Sequence, residues 1–562
     1  MSWLSERLAL PDRAPTLSAP SFAYVFGAVL VMLLGVEAVT GAALAAFYSP
    51  STTDAWASVA YVQDRMPLGW LVRGLHYHGA SALVIVAGAH LVHTALVGAY
   101  KKPREVAWWL GVLLLVLVLV FAVTGYVLRW DQAGYWANQV EVGIAAGTPV
   151  VGGTIKGLAI GGNEYGNLTL TRFYALHVIV MPALVALVTF AHVALARRHG
   201  STTIKREPPR MSRWPQQTLR DVIAMAIVFA LLLVVTAQTG GAELAAPADP
   251  ASAYDARPLW YFRWLFELRN LTGSLESVVA LVVPALFAGF LVALPLLDHG
   301  SELDPRKRKR WLGALAGMLS IVGVLTIASF ASDAGDGELT KRLDKAAQVA
   351  SRARALAAKY GVPVTGAQDI FKTAPMWRAR SLYAQRCAGC HAADSKDRKG
   401  PIIAAGHHSR AWLAGFLKEP SGHAYWGLTK LARTDDAMKA VDLKGAELDA
   451  VVETLYAQSG AADVDQTKRD QGKQMFDKAC TDCHSLDEGI AGGSGPGLGG
   501  LASRDWYTRV IGNPKSAIHM AEKSEMPRFD KDLSILDRDA LAEYLVWLRT
   551  ATQRDLDALG PL

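Results

Sequence analysis

The chain has 562 residues, 51% of them hydrophobic, a mean hydropathy of +0.20 and four cysteines. That is too apolar for an average soluble protein and not apolar enough for a chain lying wholly in a membrane, so a membrane part joined to a water-soluble part is expected. The formal charge of +7 calls for no nucleic acid, because basic loops beside membrane helices account for it.

Seven apolar runs fill residues 22–331, at roughly 22–48, 75–100, 107–129, 171–196, 219–237, 276–297 and 311–331. Each is long enough to cross ~30 Å of hydrocarbon. No convincing cleavage site precedes the first, so it reads as a retained helix, and residues 3–10 read as a short turn lying on the lipid surface. Lys and Arg gather in the second, fourth and sixth connections: Lys101, Lys102 and Arg104; Arg197, Arg198, Lys205, Arg206, Arg210, Arg213 and Arg220; and Arg306 to Arg310. The positive-inside rule then puts the N-terminus in the cytoplasm and everything after residue 331 outside.

The second run holds His76 and His90, 14 residues apart, and the fourth holds His177 and His192, 15 apart. At ~1.5 Å and ~100° per residue, each pair stays within ~60° of one helix face and ~21 Å apart. Two such helices facing each other can hold two bis-histidine hemes, one above the other. Histidines inside spanning helices are costly and functional by default. Gly27 and Gly41 on the first run, and Gly111 and Gly125 on the third, repeat the 14-residue spacing. Glycine lets a flat ring approach the backbone, although close helix packing would explain any one of them alone.

Residues 332–371 read as a helical linker, followed by two soluble units at 372–460 and 467–555. The units look like a repeat: LYAQRCAGCH pairs with MFDKACTDCH, and AELDAVVETL with DALAEYLVWL. Every cysteine lies in one of two C-x-x-C-H motifs, Cys387–Cys390–His391 and Cys480–Cys483–His484. This is the attachment motif of c-type heme: two thiols bond the vinyl groups and the next residue ligates the iron. The sixth ligand is expected to be Met526 in the second unit, with Met520 as competitor, and Met438 in the first, with His423 as rival. Each unit is small for a self-sufficient core, which a covalent heme would complete.

Residues 1–331 resemble cytochrome b of the quinol-oxidising bc complexes, most closely the chloroplast-type bf complex. The resemblance rests on HYHGAS from His76, YKKPRE from Tyr100, GYVLRWDQAGYW from Gly125 and LTLTRFYALH from Leu168. It divides the membrane part into a four-helix domain, 1–205, and a three-helix part, 206–331, similar to subunit IV. Residues 372–555 resemble tandem class I cytochromes c. The fold class expected is all-α: a seven-helix transmembrane bundle followed by two cytochrome c domains.

The resemblance implies that His76 and His177 hold an outer heme b, His90 and His192 an inner one, and that Arg73 neutralises a propionate. It implies quinol oxidation on the outer side, beside the family's Pro-Glu-Trp-Tyr motif, which here reads Pro258-Leu259-Trp260-Tyr261. Leucine replaces the proton-accepting glutamate, and Asp255 or Glu267 is the nearest substitute in sequence. Asp221 and Arg197 fall at the quinone-reduction site. The position of the bf complex's extra covalent heme is Leu33, so that heme is expected to be absent. A Rieske [2Fe–2S] protein is expected as a separate partner, because all four cysteines are assigned. Further expected partners are quinone, lipid, and a soluble cytochrome or terminal oxidase as acceptor. By analogy the chain sits as a homodimer in a bacterial inner membrane. The competing expectation is a membrane electron relay without bifurcation, which the missing glutamate favours.

Overall fold

The computed structural model describes residues 16–17, 20–162, 164–200, 202, 211–212, 214–373, 375–519 and 521–559. The surface turn at 3–10, the basic residues Lys205, Arg206, Arg210 and Arg213, and Met520 lie outside these. The chain forms two compact units, 1–370 and 371–562. Among the described residues it is all-α, apart from a two-residue antiparallel pairing of Thr16–Leu17 with Met211–Ser212 and one isolated bridge between Asp131 and Pro247.

Among the described residues of the first unit, seven helical spans are long and apolar enough to cross a membrane. They contain α1 (Phe26–Ala45), α3 (Gly69–Leu96), α4 (Glu105–Tyr126), α7 (Asn167–Ala175) continued by α8 (Met181–His199), α9 (Gln216–Thr239), α10 (Arg263–Thr272) continued by α11 (Glu276–Leu297), and α12 (Lys309–Gly335). Shorter helices lie between them: α2 (Ala55–Asp64), α5 (Gln132–Ala146) and α6 (Gly152–Ile160). The bundle packs α1 on α3, α4 on α8, and α9 on both α1 and α3.

Polar ties close the two ends. At one end Lys101 Nζ meets Asp298 Oδ1 at 2.7 Å, and Arg308 donates to the Ala95 carbonyl at 3.0 Å and the Tyr100 hydroxyl at 2.9 Å. Two of the expected basic connections therefore share that end. At the other, Trp56 Nε1 donates to the Ala245 carbonyl at 2.8 Å and Gln63 to the Gly240 carbonyl at 2.9 Å.

The expected linker is a docked helix, α13 (Gly337–Tyr360), capped by Asp336, whose carboxylate accepts from the Glu338 and Leu339 amides. Its Ala350, Ala353 and Leu356 form a buried stripe at three-residue spacing, so one face is packed while the charged face is solvated. Arg354 pairs with Asp64 on α2, Arg65 donates to the Ala358 carbonyl at 2.7 Å, and Arg342 Nε meets Asp255 Oδ2 at 2.7 Å.

The second unit contains α14 (Pro375–Arg386), α15 (Ala388–His391), α16 (Arg410–Lys418), α17 (Ala446–Ala457), α18 (Gln466–Ala479), α19 (Arg504–Gly512), α20 (Ile535–Leu548) and α21 (Gln553–Asp557). One continuous core joins both repeats, with Leu413, Leu417, Leu448, Val451 and Leu455 from the first and Phe476, Tyr507, Leu541 and Leu545 from the second. The repeats therefore share a core, although the sequence pattern presents them as two units in series.

Candidate heme and quinol sites

The four membrane histidines meet in pairs. His76 and His177 have ring centroids 6.3 Å apart, and His90 and His192 have theirs 6.5 Å apart. Two imidazoles ligating one iron from opposite faces, at ~2 Å each, leave roughly 6 Å between centroids. The unequal sequence spacings are reconciled at Leu176–Val180, a π-helical turn that contains His177. A π-turn absorbs one extra residue, so the 15-residue step turns through about the same angle as the 14-residue step on α3.

Hydrogen bonds fix which ring nitrogen points inward. His177 Nδ1 lies 3.2 Å from the Phe121 carbonyl and 3.0 Å from Thr124 Oγ1, and His192 Nδ1 lies 2.8 Å from the Ala107 carbonyl. His76 Nδ1 lies 2.9 Å from Glu37 Oε2 and 3.1 Å from Thr40 Oγ1. With Nδ1 donating outward, Nε2 is left with its lone pair for a metal. His90 Nδ1 is buried without a partner.

Three of the four glycines lie against these rings. A Cβ would sit 3.1 Å from His76 Cε1 at Gly41, 3.2 Å from His192 Cε1 at Gly111, and 2.5 Å from His177 Cε1 at Gly125. At Gly27 it would meet nothing within 4 Å. A cavity of about 930 Å³ opens beside the outer pair, walled by Glu37, Gly41, Arg73, Gly125, Leu259 and Tyr261. Arg73 is buried there, donating to Gln63 Oε1 at 2.6 Å and to the Ala242 and Glu243 carbonyls at 2.7 and 2.5 Å. None of these partners is a carboxylate, so its positive charge remains for an anion. Spacing, tautomers, glycine cradles and this cation all fit heme.

The sequence-predicted quinol residues divide. Tyr261 and Leu259 line the cavity, Trp260 Nε1 lies 3.4 Å from Ser81 Oγ, and Pro258 precedes them at half-burial. Asp255 is held by Arg342 on the docked helix, and neither it nor Glu267 lines the cavity. Asp221 is buried and accepts from Gln217 Nε2 at 2.9 Å, and Arg197 lies at the far end of the cavity. Two further acids stand here that are not among the sequence-predicted residues. Glu37 stands inside an apolar run, a signal that was available. Glu141 on α5 looks like an ordinary surface acid in sequence. Burial pushes its carboxyl up to about 8, against a weaker opposing bond from Asn138 Nδ2 at 3.4 Å; it does not line the cavity itself, but it lies close enough to Tyr261, which does, and to Tyr165 to interact with both.

The two C-x-x-C-H motifs have matching surroundings. His391 Nδ1 lies 2.9 Å from the Pro401 carbonyl and His484 Nδ1 lies 2.9 Å from that of Pro496. A Cβ would come within 2.6 Å of His391 at Gly400 and within 2.5 Å of His484 at Gly495. Both histidines thus present Nε2, beside Cys387 and Cys390 or Cys480 and Cys483. The rival ligand His423 accepts through its carbonyl from Arg398 at 2.7 Å, with that guanidinium against its ring.

These features define a multi-pass membrane cytochrome carrying a cytochrome c domain. A family model described as Cytochrome b/b6/petB matches residues 13–200, and one described as Cytochrome C oxidase, cbb3-type, subunit III matches residues 467–545. The chain is 39% identical over 204 residues to cytochrome b6 of Crocosphaera subtropica, covering 35% of this chain and 92% of that one. It is 38% identical to cytochrome b6 of Cyanidium caldarium, covering 35% and 95%. A solved chain of a "Hyperthermophilic respiratory Complex III" is similar with a TM-score of 0.48 and 23% identity, covering 56% of this chain and 86% of that one. The chain belongs to the cytochrome b/b6 family, as a cytochrome b6-like membrane protein of bc/bf type with a cytochrome c domain fused after it.

Proposed function

We propose that this chain is the cytochrome b/c subunit of a bc-type quinol:cytochrome c oxidoreductase, with a separate Rieske [2Fe–2S] protein as partner. Two non-covalent b hemes and two covalent c hemes, when bound, supply one-electron carriers that divide a quinol's electrons between an inner-side quinone and a downstream cytochrome or oxidase, coupled to proton translocation. The observation that carries this proposal is the pair of facing histidine couples, each at the separation one iron requires. The basic loops support an inner-membrane orientation with the N-terminus cytoplasmic and the cytochrome c domain outside.

His76, His177, His90 and His192 ligate the b hemes, and Arg73 binds a propionate. His391, His484, Met438 and Met526 are the axial ligands of the c hemes. A quinol binds beside Leu259 and Tyr261 in the outer cavity. Its proton acceptor is Glu141 in place of the motif's missing glutamate, because Asp255 is spent on Arg342. Asp221 and Arg197 serve the inner quinone. A relay without bifurcation is the alternative, favoured by Leu259 in the cavity wall.

Two measurements follow. A pyridine hemochrome assay on purified protein is expected to give two b and two c hemes per chain, with acid–acetone removing only the b type. A third covalent heme, or a single b heme, would overturn the assignment. Glu37→Gln is expected to raise the midpoint of the outer b heme, because it replaces the carboxyl that accepts from the ligand's Nδ1 at 2.9 Å with a weaker acceptor. An unmoved midpoint in a redox titration rules out an electronic role for Glu37.

A further inference from the structure

Each repeat of the second unit is made of two blocks. The first holds the leading helix, the C-x-x-C-H motif and the proline loop: α14 to Gly406, and α18 to Gly500. It is tied internally by the histidine–proline bonds and by Ile403 N to the His391 carbonyl at 3.0 Å, or Leu498 N to the Ser485 carbonyl at 2.7 Å. The second block holds the middle helix, the methionine segment and the last helix: α16, Met438, α17; and α19, Met526, α20. Here Val441 N donates to the Leu417 carbonyl at 3.0 Å and Phe529 N to the Ile511 carbonyl at 3.3 Å. These bonds fasten the residue three past each methionine to the end of its own middle helix, which packs on its own last helix.

The blocks pair across the repeats. The leading helix α14 packs on α20, with the Tyr383 and Tyr544 rings 5.8 Å apart and Arg378 bound to Asp537 at 2.7 Å. The other leading helix, α18, packs on α17. The crossing is so close that a Cβ at Gly472 would lie 1.9 Å from the Ala450 carbonyl, and Thr454 Oγ1 donates to the Arg469 carbonyl at 2.7 Å. The ends of the first blocks follow: Gly406 N donates to the Leu548 carbonyl at 2.8 Å, and Gly500 N to Gln458 Oε1 at 3.3 Å. Just beyond, His408 (φ 59°) and Ala502 (φ 60°) take equivalent left-handed conformations that side chains seldom adopt, where the chain leaves one assembly for the other. Within a repeat the blocks touch through loops, Ile402 N to the Ala424 carbonyl and Gly497 N to that of Ile518, and not through a crossing of their terminal helices.

A heme's two axial ligands approach one iron from opposite faces, so the methionine must come from the block that packs on the attachment block. We infer that the c hemes are ligated across the repeats: His391 with Met526, and His484 with Met438. This rests on the His/Met reading proposed above.

The test uses the full-length chain with one c heme deleted. In Cys387→Ala/Cys390→Ala, which retains the heme at His484, Met438→Ala is expected to abolish the methionine-to-iron charge-transfer band of the oxidised protein, and Met526→Ala to leave it. In Cys480→Ala/Cys483→Ala the two methionine changes exchange roles. The opposite pattern overturns cross-ligation while leaving the His/Met reading intact. A parent chain with no such band at all overturns the His/Met reading itself, and cross-ligation with it. If a deletion variant fails to accumulate, a cryo-microscopy map of the unaltered chain reads the iron–sulfur connectivity directly, with the same two outcomes.

Discussion

Gly125→Val is expected to empty the outer b-heme site and halve the b-heme content. The Cβ alone would fall 2.5 Å from His177 Cε1 and 3.0 Å from its Nε2, the nitrogen that faces the cavity. Valine adds two methyl groups at a stiff χ1 on a spanning helix, so it has little freedom to turn away. Overpacking of this kind costs typically ~1–3 kcal/mol where neighbours can shift. His177 can shift only by leaving its bonds to Phe121 and Thr124 and the face of His76. Gly317→Ala on α12, a position assigned to no heme or quinol site, is the control and is expected to be silent, because its Cβ would meet nothing within 4 Å. Hemochrome analysis and the split of the reduced b-band check both. Full b-heme content in Gly125→Val would mean that His177 is not held where the iron needs it.

Glu141→Gln is expected to lower quinol oxidation by roughly 10² or more, the scale of lost acid–base catalysis. A base must be ionised to accept a proton. Burial holds the Glu141 carboxyl up at about 8, so the parental rate should climb as pH rises towards 8. Tyr165 and Tyr261 are the titratable groups it interacts with, and the limb is expected to disappear in the glutamine variant. Adding Leu259→Glu to that variant should restore turnover, because position 259 lines the cavity. Asp255→Asn and Glu267→Gln are expected to stay near the parental rate. Parental turnover and an unchanged pH profile in Glu141→Gln would move the proton route to a water chain or to a partner subunit, or leave the chain a passive relay.

Much of the membrane site was legible because its signals are periodic. Apolar runs of bilayer length gave the spans, and equal 14-residue spacings gave His76 with His90 and Gly111 with Gly125. The π-turn at His177 was not legible: the sequence shows a 15-residue step, and only the backbone shows how it is absorbed. Glu141 was missed because burial belongs to the packing of α5 and not to its composition. The docking of α13 was missed for a related reason: an Ala-rich charged helix reads as a spacer until Asp64 and Asp255 are seen to meet its arginines. The exchange of helices in the second unit was beyond sequence patterning altogether. Ala379 and Tyr383 occupy the places of Gly472 and Phe476, eight and four residues before the first cysteine of each motif. Two leading helices with equivalent faces satisfy either last helix, and periodicity cannot choose between them.

That exchange also sets an order of maturation. Residues 409–499, running from the middle helix of the first repeat to the proline loop of the second, form one continuous stretch that can close as soon as it has emerged. The other assembly draws on both ends of the unit, so its leading segment, with Cys387 and Cys390, is the first made and the last completed. A chain exported N-terminus first would expose that attachment motif longest, giving the ligation machinery time to act on it, while its methionine arrives only with the final helix.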